Sequence, residues 1–195
     1  TVTANEKTYE GFSKDTTKGE TSGVVKADGS LVLKIFYKRN TYSINYNENY
    51  GTIKELNYAT TYKYGVGATL PTNVTRVAHK FIGWYTENGE KVTSIGTTEI
   101  GNKTYTARWE ILYTYEIISG NNIRITGYLG NDTEVTIPHK FVDNDVELTV
   151  TEISGRAFDN ADKLERINLD ENIQGYSTID GVLLNETQTE IIRVP

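Results

Sequence analysis

Residues 80–95 read KFIGWYTENGEKVTSI, a compact apolar cluster from Phe81 to Tyr85 followed at once by a turn signal at Asn88-Gly89. Aromatic and β-branched residues bounded by Asn-Gly form the sequence pattern of a strand entering a tight turn. Working outward, the stretch Tyr42-Ser43-Ile44-Asn45-Tyr46-Asn47 alternates apolar and polar positions. Downstream, Lys103-Thr104-Tyr105-Thr106-Ala107-Arg108-Trp109 alternates in the same way and closes the unit as a strand. Trp84 and Trp109, at the two ends, are expected as paired core anchors. Between Leu70-Pro71 and the apolar cluster, Thr72 to Ala78 is expected as a short helix or an irregular link.

Toward the N-terminus, Asp28-Gly29 sits between Val24-Val25-Lys26 and the run Leu31 to Tyr37. That pattern predicts a hairpin whose turn requires positive φ at Gly29. The near-continuous apolar character of Leu31 to Tyr37 predicts burial on both faces, with Lys34 reaching out. Thr1 to Glu10 can supply a further strand. Toward the C-terminus the rhythm changes to short Ile/Leu strands spaced by polar turns. Thr133–Pro138, Thr149–Ile153, Leu164–Leu169 and Glu190–Pro195 recur at roughly the interval of one solenoid coil, and such spacing predicts stacked repeats.

Composition bounds what such a chain can do. Its 195 residues are long for one domain and comfortable for two or three small ones. The 37% hydrophobic content and 14 tyrosines supply core and ring material that a disordered tail lacks. With no Cys, no disulfide, thiol nucleophile or thiolate metal site is available. Extracellular modules that manage without disulfides point to bacteria. There is no Met and no charged-then-apolar leader, so a processed or cut piece of a longer secreted protein is expected. No apolar run is long enough to cross a bilayer, and no membrane insertion is expected.

The formal charge of −6 is uneven. Residues 1–41 carry seven Lys/Arg against five Asp/Glu, residues 42–110 seven against six, and residues 111–195 six against fifteen. An acidic third at −9 opposes binding to nucleic acid, which needs a basic stripe, and docking on anionic lipid.

The run YSINYNENYGT, then ATLP, KFIGWYTENGEKVTSI and KTYTARW, over residues 42–110, resembles the Listeria–Bacteroides repeat, also called the internalin B-repeat family. The resemblance implies a β-grasp-like module found in tandem on secreted bacterial proteins, without a defined catalytic role. Ala78-His79 stands where that family commonly shows a Gly-aromatic step. Residues 1–41, ending in GSLVLKIFYKRNT, resemble the C-terminal part of mucin-binding-protein-like repeats. Residues 111–195, with VTEISGRAF, then LERI and DGVLLN, resemble BspA-like leucine-rich repeats, which implies a solenoid of short strands and turns on cell-surface proteins. The fold expected is therefore mainly β, a β-rich α+β chain, with a β-hairpin segment, a β-grasp-like module and a short, truncated leucine-rich-repeat solenoid.

Chemistry-bearing residues are few. His79 and His139 lie in different modules, and His139 follows Pro138 in an expected surface turn. No GxSxG, HExxH or P-loop pattern occurs, and no catalytic residue, cofactor or metal is assigned. Asp143 to Glu147 places three acids in a polar excursion; the spacing departs from a calcium loop, so solvated turn residues are the commoner reading. Lys34 is the first residue to suspect for an internal Lys–Asn cross-link, against the default of a snorkelling side chain. Tyr side chains could stack on saccharides, although cross-strand packing is their commoner use. Asn73, Asn102, Asn131 and Asn185 each begin an N-x-T triplet, read as chance products of an Asn/Thr-rich surface. Glu110 to Tyr115 contains no Gly or Pro, which favours a stiff junction. The expected role is a monomeric, non-catalytic adhesion or interaction module for a host or extracellular protein or glycan on the bacterial cell surface. The alternatives are a structural stalk and an accessory region of a secreted hydrolase.

Overall fold

The computed structural model describes all of residues 1–195, and every regular element in it is a strand. The β-rich expectation therefore holds, while its α+β part does not, because no residue is helical. Thr72 to Ala78, expected above as a short helix or an irregular link, is not helical; it is a link that contains the short strand Val74–Thr75, paired antiparallel with Thr52–Ile53. Thr72, Val74 and Thr75 are β-branched and follow Pro71, a context that disfavours helix and suits a sheet edge. The chain divides into two compact units: Thr1–Asn47 with Glu55–Thr72 and Gly83–Thr106, and Glu48–Lys54 with Asn73–Ile82 and Ala107–Pro195.

In the first unit, Thr41–Asn47 pairs antiparallel with Thr61–Lys63 and parallel with the start of Lys103–Ile111, from Lys103 opposite Ile44 to Thr106 opposite Asn47. Alternation puts Ile44, Tyr62 and Tyr105 inside, at 3–5% exposure, with Leu70 and Ile95. Trp84 is the largest buried ring. Its indole Nε1–H donates to Pro71 O at 2.8 Å, and its ring lies 4.8 Å from Tyr46. The Glu87-Asn88-Gly89 loop has the geometry of a three-residue hairpin: Gly89 N–H bonds Thr86 O, Thr86 N–H bonds Glu90 O, and Gly89 sits at φ 82.

The expected hairpin between Val24–Lys26 and Leu31–Tyr37 does not form. Its turn is present, with Gly29 at φ 68 and its N–H bonded to Lys26 O, but Val24 and Val25 lie outside any strand and are 66% and 63% exposed. The strand Lys34–Arg39 pairs instead with Phe12–Glu20. Leu31 to Tyr37 is also not buried on both faces: Val32 and Phe36 are exposed while Leu31, Leu33, Ile35 and Tyr37 are half-buried. A two-stranded sheet has one covered face, so the apolar run splits into an inner and an outer set. Lys34 is exposed at the start of this strand, which removes the burial that made it a cross-link suspect.

In the second unit, Tyr113–Ser119 and Asn122–Tyr128 form a hairpin. Asn122–Tyr128 continues parallel against Val146–Ile153, which in turn pairs antiparallel with Lys140–Asp143. Glu134–Ile137 and Arg166–Leu169 run parallel, with all four residues in register. Tyr176–Ile179, Val182–Asn185 and Ile191–Arg193 form an antiparallel meander, and Ile167 N–H bonds Gly181 O. The alternating Ile/Leu positions point to one core. Ile123, Ile125, Ile137, Ile167 and Leu183 are each 0% exposed, and Phe158 is 1%. Burying each such side chain contributes on the order of 1.5–3 kcal/mol. Trp109 lies in this unit, 5.2 Å from Phe81, with its Nε1–H on Glu48 O. The two tryptophans thus anchor separate units rather than acting as a pair in one core.

Candidate functional site

Three tight turns of the second unit build a cleft of about 520 Å³. The first follows the alternating strand at Asn47. Gly51 N–H closes onto Glu48 O at 2.9 Å, with Asn49 and Tyr50 at φ 47 and 66. Positive φ at both central residues defines a type I′ turn, in which Asn is at home and a bulky aromatic is a strained outlier. The second turn joins Lys140–Asp143 to Val146–Ile153 through Asn144 and Asp145, at φ 48 and 63, again type I′. The third carries His79 N–H onto Arg76 O at 3.1 Å with Ala78 at φ 60. Asn49, Tyr50, Asn144 and Asp145 line the cleft, together with Arg76, His79, Arg108 and Trp109.

Side-chain bonds lock the turns together. Tyr50 OH donates to Asp145 Oδ1 at 2.9 Å, and that bond, followed by the Asp145 charge, pushes the phenol's pKa up. Arg76 lies over the Tyr50 ring, its Cζ 5.3 Å from the centroid, and its Nη2 donates to Val142 O at 2.7 Å. The Arg76 Nε is buried with no hydrogen-bond partner. Burial pulls this guanidinium's pKa down, against the opposing pull of Asp143.

His79 has 3% of its side chain exposed. Its Nδ1 lies 2.8 Å from Val77 O, and a carbonyl only accepts, so Nδ1 carries the proton. Nε2 then faces Asp143 Oδ1 at 3.8 Å. Burial lowers the imidazole's pKa more than its polar neighbours restore it, so neutral His79 is favoured. Asp143 Oδ2 accepts from Tyr115 OH at 2.7 Å. Burial first, then this bond, pushes the Tyr115 phenol up to about 12.

Of the residues singled out from the sequence, the structure brings His79 together with two of the three acids of Asp143 to Glu147. These acids serve as hydrogen-bond acceptors for Tyr115 and Tyr50, while Glu147 pairs with Lys140 at 2.9 Å. His139 is not among the residues lining this cleft; its carbonyl holds Val150 N–H at 2.8 Å. Two of the N-x-T asparagines are used locally: Asn102 Oδ1 accepts from Ser43 N–H, and Asn185 Oδ1 from Thr189 N–H. Sequence reasoning missed Tyr50 and Arg76. Asn49-Tyr50-Gly51 after an alternating strand was the available turn signal for the first, and nothing local marks the second.

No curated protein and no solved structure matches this chain. The family model of the Listeria-Bacteroides repeat domain, a module typical of bacterial surface proteins, matches residues 42–108.

Proposed function

We propose that the protein is a non-catalytic interaction module of a bacterial cell-surface protein, holding an extracellular protein or glycan. The observation that carries this reading is the match of residues 42–108 to a repeat typical of such proteins. The β-grasp-like reading of residues 42–110 is supported by the parallel pairing of the module's first and last strands, Ile44–Asn47 with Lys103–Thr106. The leucine-rich solenoid reading of residues 111–195 is supported by the in-register parallel ladder of Glu134–Ile137 and Arg166–Leu169, as stacked coils require. The mucin-binding-like reading of residues 1–41 rests on the run Gly29 to Thr41 in the sequence.

His79 is closed off from solvent with its Nδ1–H bonded to Val77 O, an arrangement suited to holding a turn in place. The acidic last third favours partners other than polyanions. The test is a binding screen of the intact chain against mucins, extracellular-matrix proteins and a glycan array. Saturable binding to one class is expected. A folded chain that binds none of them would favour the stalk reading, with recognition carried by other parts of the parent protein.

A further inference from the structure

We propose that the turn-lined cleft of the second unit is a saccharide-binding site that takes a neutral sugar ring, with Tyr50 as its stacking platform. This rests on the interaction-module reading and names the ligand class for one place on it. Three observations carry it.

The first is strain. Tyr50 holds φ 66 and is 57% exposed. A β-carbon in this region costs about 1–2 kcal/mol, so a bulky residue persists there only when the surroundings hold it, and such outliers cluster at ligand sites. Here the Asp145 bond and the overlying Arg76 hold it. The ring is therefore fixed in orientation before any ligand arrives, while more than half of the residue remains open to solvent. A preorganised ring loses little entropy on binding.

The second is the chemistry of the lining. Asn49, Asn144, Asp145 and Arg108 bring amide, carboxylate and guanidinium planes to the same cleft as Tyr50 and Trp109. Such planes offer pairs of donors or acceptors at the spacing of adjacent ring hydroxyls, and the aromatic rings match the C–H face of a sugar. The volume of about 520 Å³ lies inside the range of small-molecule pockets, on the order of 300–1,000 Å³.

The third is charge balance. Two guanidiniums, Arg76 and Arg108, and two carboxylates, Asp143 and Asp145, line the cleft, and His79 is held neutral by burial. The formal charges sum to zero, so the cleft carries no net charge that would favour a carboxylate, a phosphate or a cation. A ligand rich in hydroxyls and without charge fits that balance.

The experiment titrates the intact, isotope-labelled chain with the methyl glycosides of glucose, galactose, N-acetylglucosamine and glucuronic acid, and with short neutral oligosaccharides, following amide shifts by NMR. At least one neutral glycoside is expected to move the amides of Asn49, Tyr50, Arg108, Asn144 and Asp145 saturably. Tyr50→Gly should weaken that binding about tenfold or more. Glycine is the residue best suited to this backbone, so the variant keeps the turn's φ while removing the ring together with its bond to Asp145 and its contact with Arg76. Tyr9→Ala, an exposed ring of the first unit, should change nothing. The proposal is overturned if no neutral glycoside binds, if shifts fall elsewhere, if only the glucuronide binds, or if Tyr50→Gly binds as well as the parent. Glycoside failure with retained matrix-protein binding would sink this site alone and leave the interaction-module reading standing.

Discussion

Replacing Ile167 by Ala probes whether the second unit is one stacked core or a row of separate hairpins. Ile167 is 0% exposed, sits opposite Val135 in the parallel ladder, and bonds through its N–H to Gly181 O beside the terminal meander. It therefore packs within a cluster that also holds Ile137, Phe158 and Leu183, all at 0–1% exposure. Removing its side-chain carbons forfeits their transfer free energy and leaves a cavity that the Glu134–Ile137 ladder on one side and the backbone bond to Gly181 on the other keep from collapsing. The expected cost is toward the upper part of the usual range for large-to-Ala changes, about 3–4 kcal/mol. For a chain of this length that is a fall in Tm of roughly 6–16 °C. Native-state hydrogen exchange at Ile123, Ile137 and Leu183 reads the loss within this unit, and all three amides should lose protection together. Ile191→Ala, at a residue 62% exposed, should stay within about 0.5 kcal/mol of the parent. A cost below about 1 kcal/mol for Ile167→Ala, or a loss of protection confined to its own ladder, would refute the shared core.

Ala78 sits at φ 60, so Ala78→Gly should raise the midpoint of urea unfolding by an amount equal to about 0.5–1 kcal/mol, relief of strain outweighing the added freedom of the unfolded chain; a lower midpoint would contradict the turn geometry. His79 has a folded-state pKa below its unfolded value of about 6.5, so its neutral form contributes stability that is fully present above that value and is lost as pH falls from it toward the folded pKa. Urea midpoints followed from about pH 7.5 down to pH 5 should fall more steeply for the parent than for His79→Gln, by up to about 1.4 kcal/mol per pH unit, and parallel curves would count against burial as the dominant cause. Trp84→Phe deletes the donor to Pro71 O in a residue 2% exposed and leaves a buried carbonyl unpaired, so a loss of about 1–3 kcal/mol is expected by thermal unfolding, with an unchanged Tm as the contrary result.

Local pattern made some of this architecture readable and left the rest hidden. Alternation located Glu134–Ile137 and Arg166–Leu169, because one face of each is buried and period two records it. Asn88-Gly89 located a hairpin loop because only glycine takes φ 82 at no steric cost. The run Leu31 to Tyr37 misled for the complementary reason. A string of apolar residues does not say how many faces find partners, and here only one does. The partner of Glu134–Ile137 lies 32 positions away at Arg166–Leu169, and nothing local encodes that parallel match. The cleft was the least legible feature. Tyr50, Arg76 and Asp143 come from three turns, and their meeting depends on long-range pairing. Tyr50 also adopts a backbone conformation that its residue type disfavours, so sequence rules steer away from it.

The most direct test of the non-catalytic interaction reading is a calorimetric titration of the intact chain with whichever ligand the binding screen returns, with the ligand recovered afterwards and analysed by mass spectrometry. The account predicts a saturable heat of binding and a ligand of unchanged mass after prolonged incubation. Steady heat of turnover, with cleaved or modified ligand in the recovered material, would contradict it and move the protein into the class of secreted hydrolases.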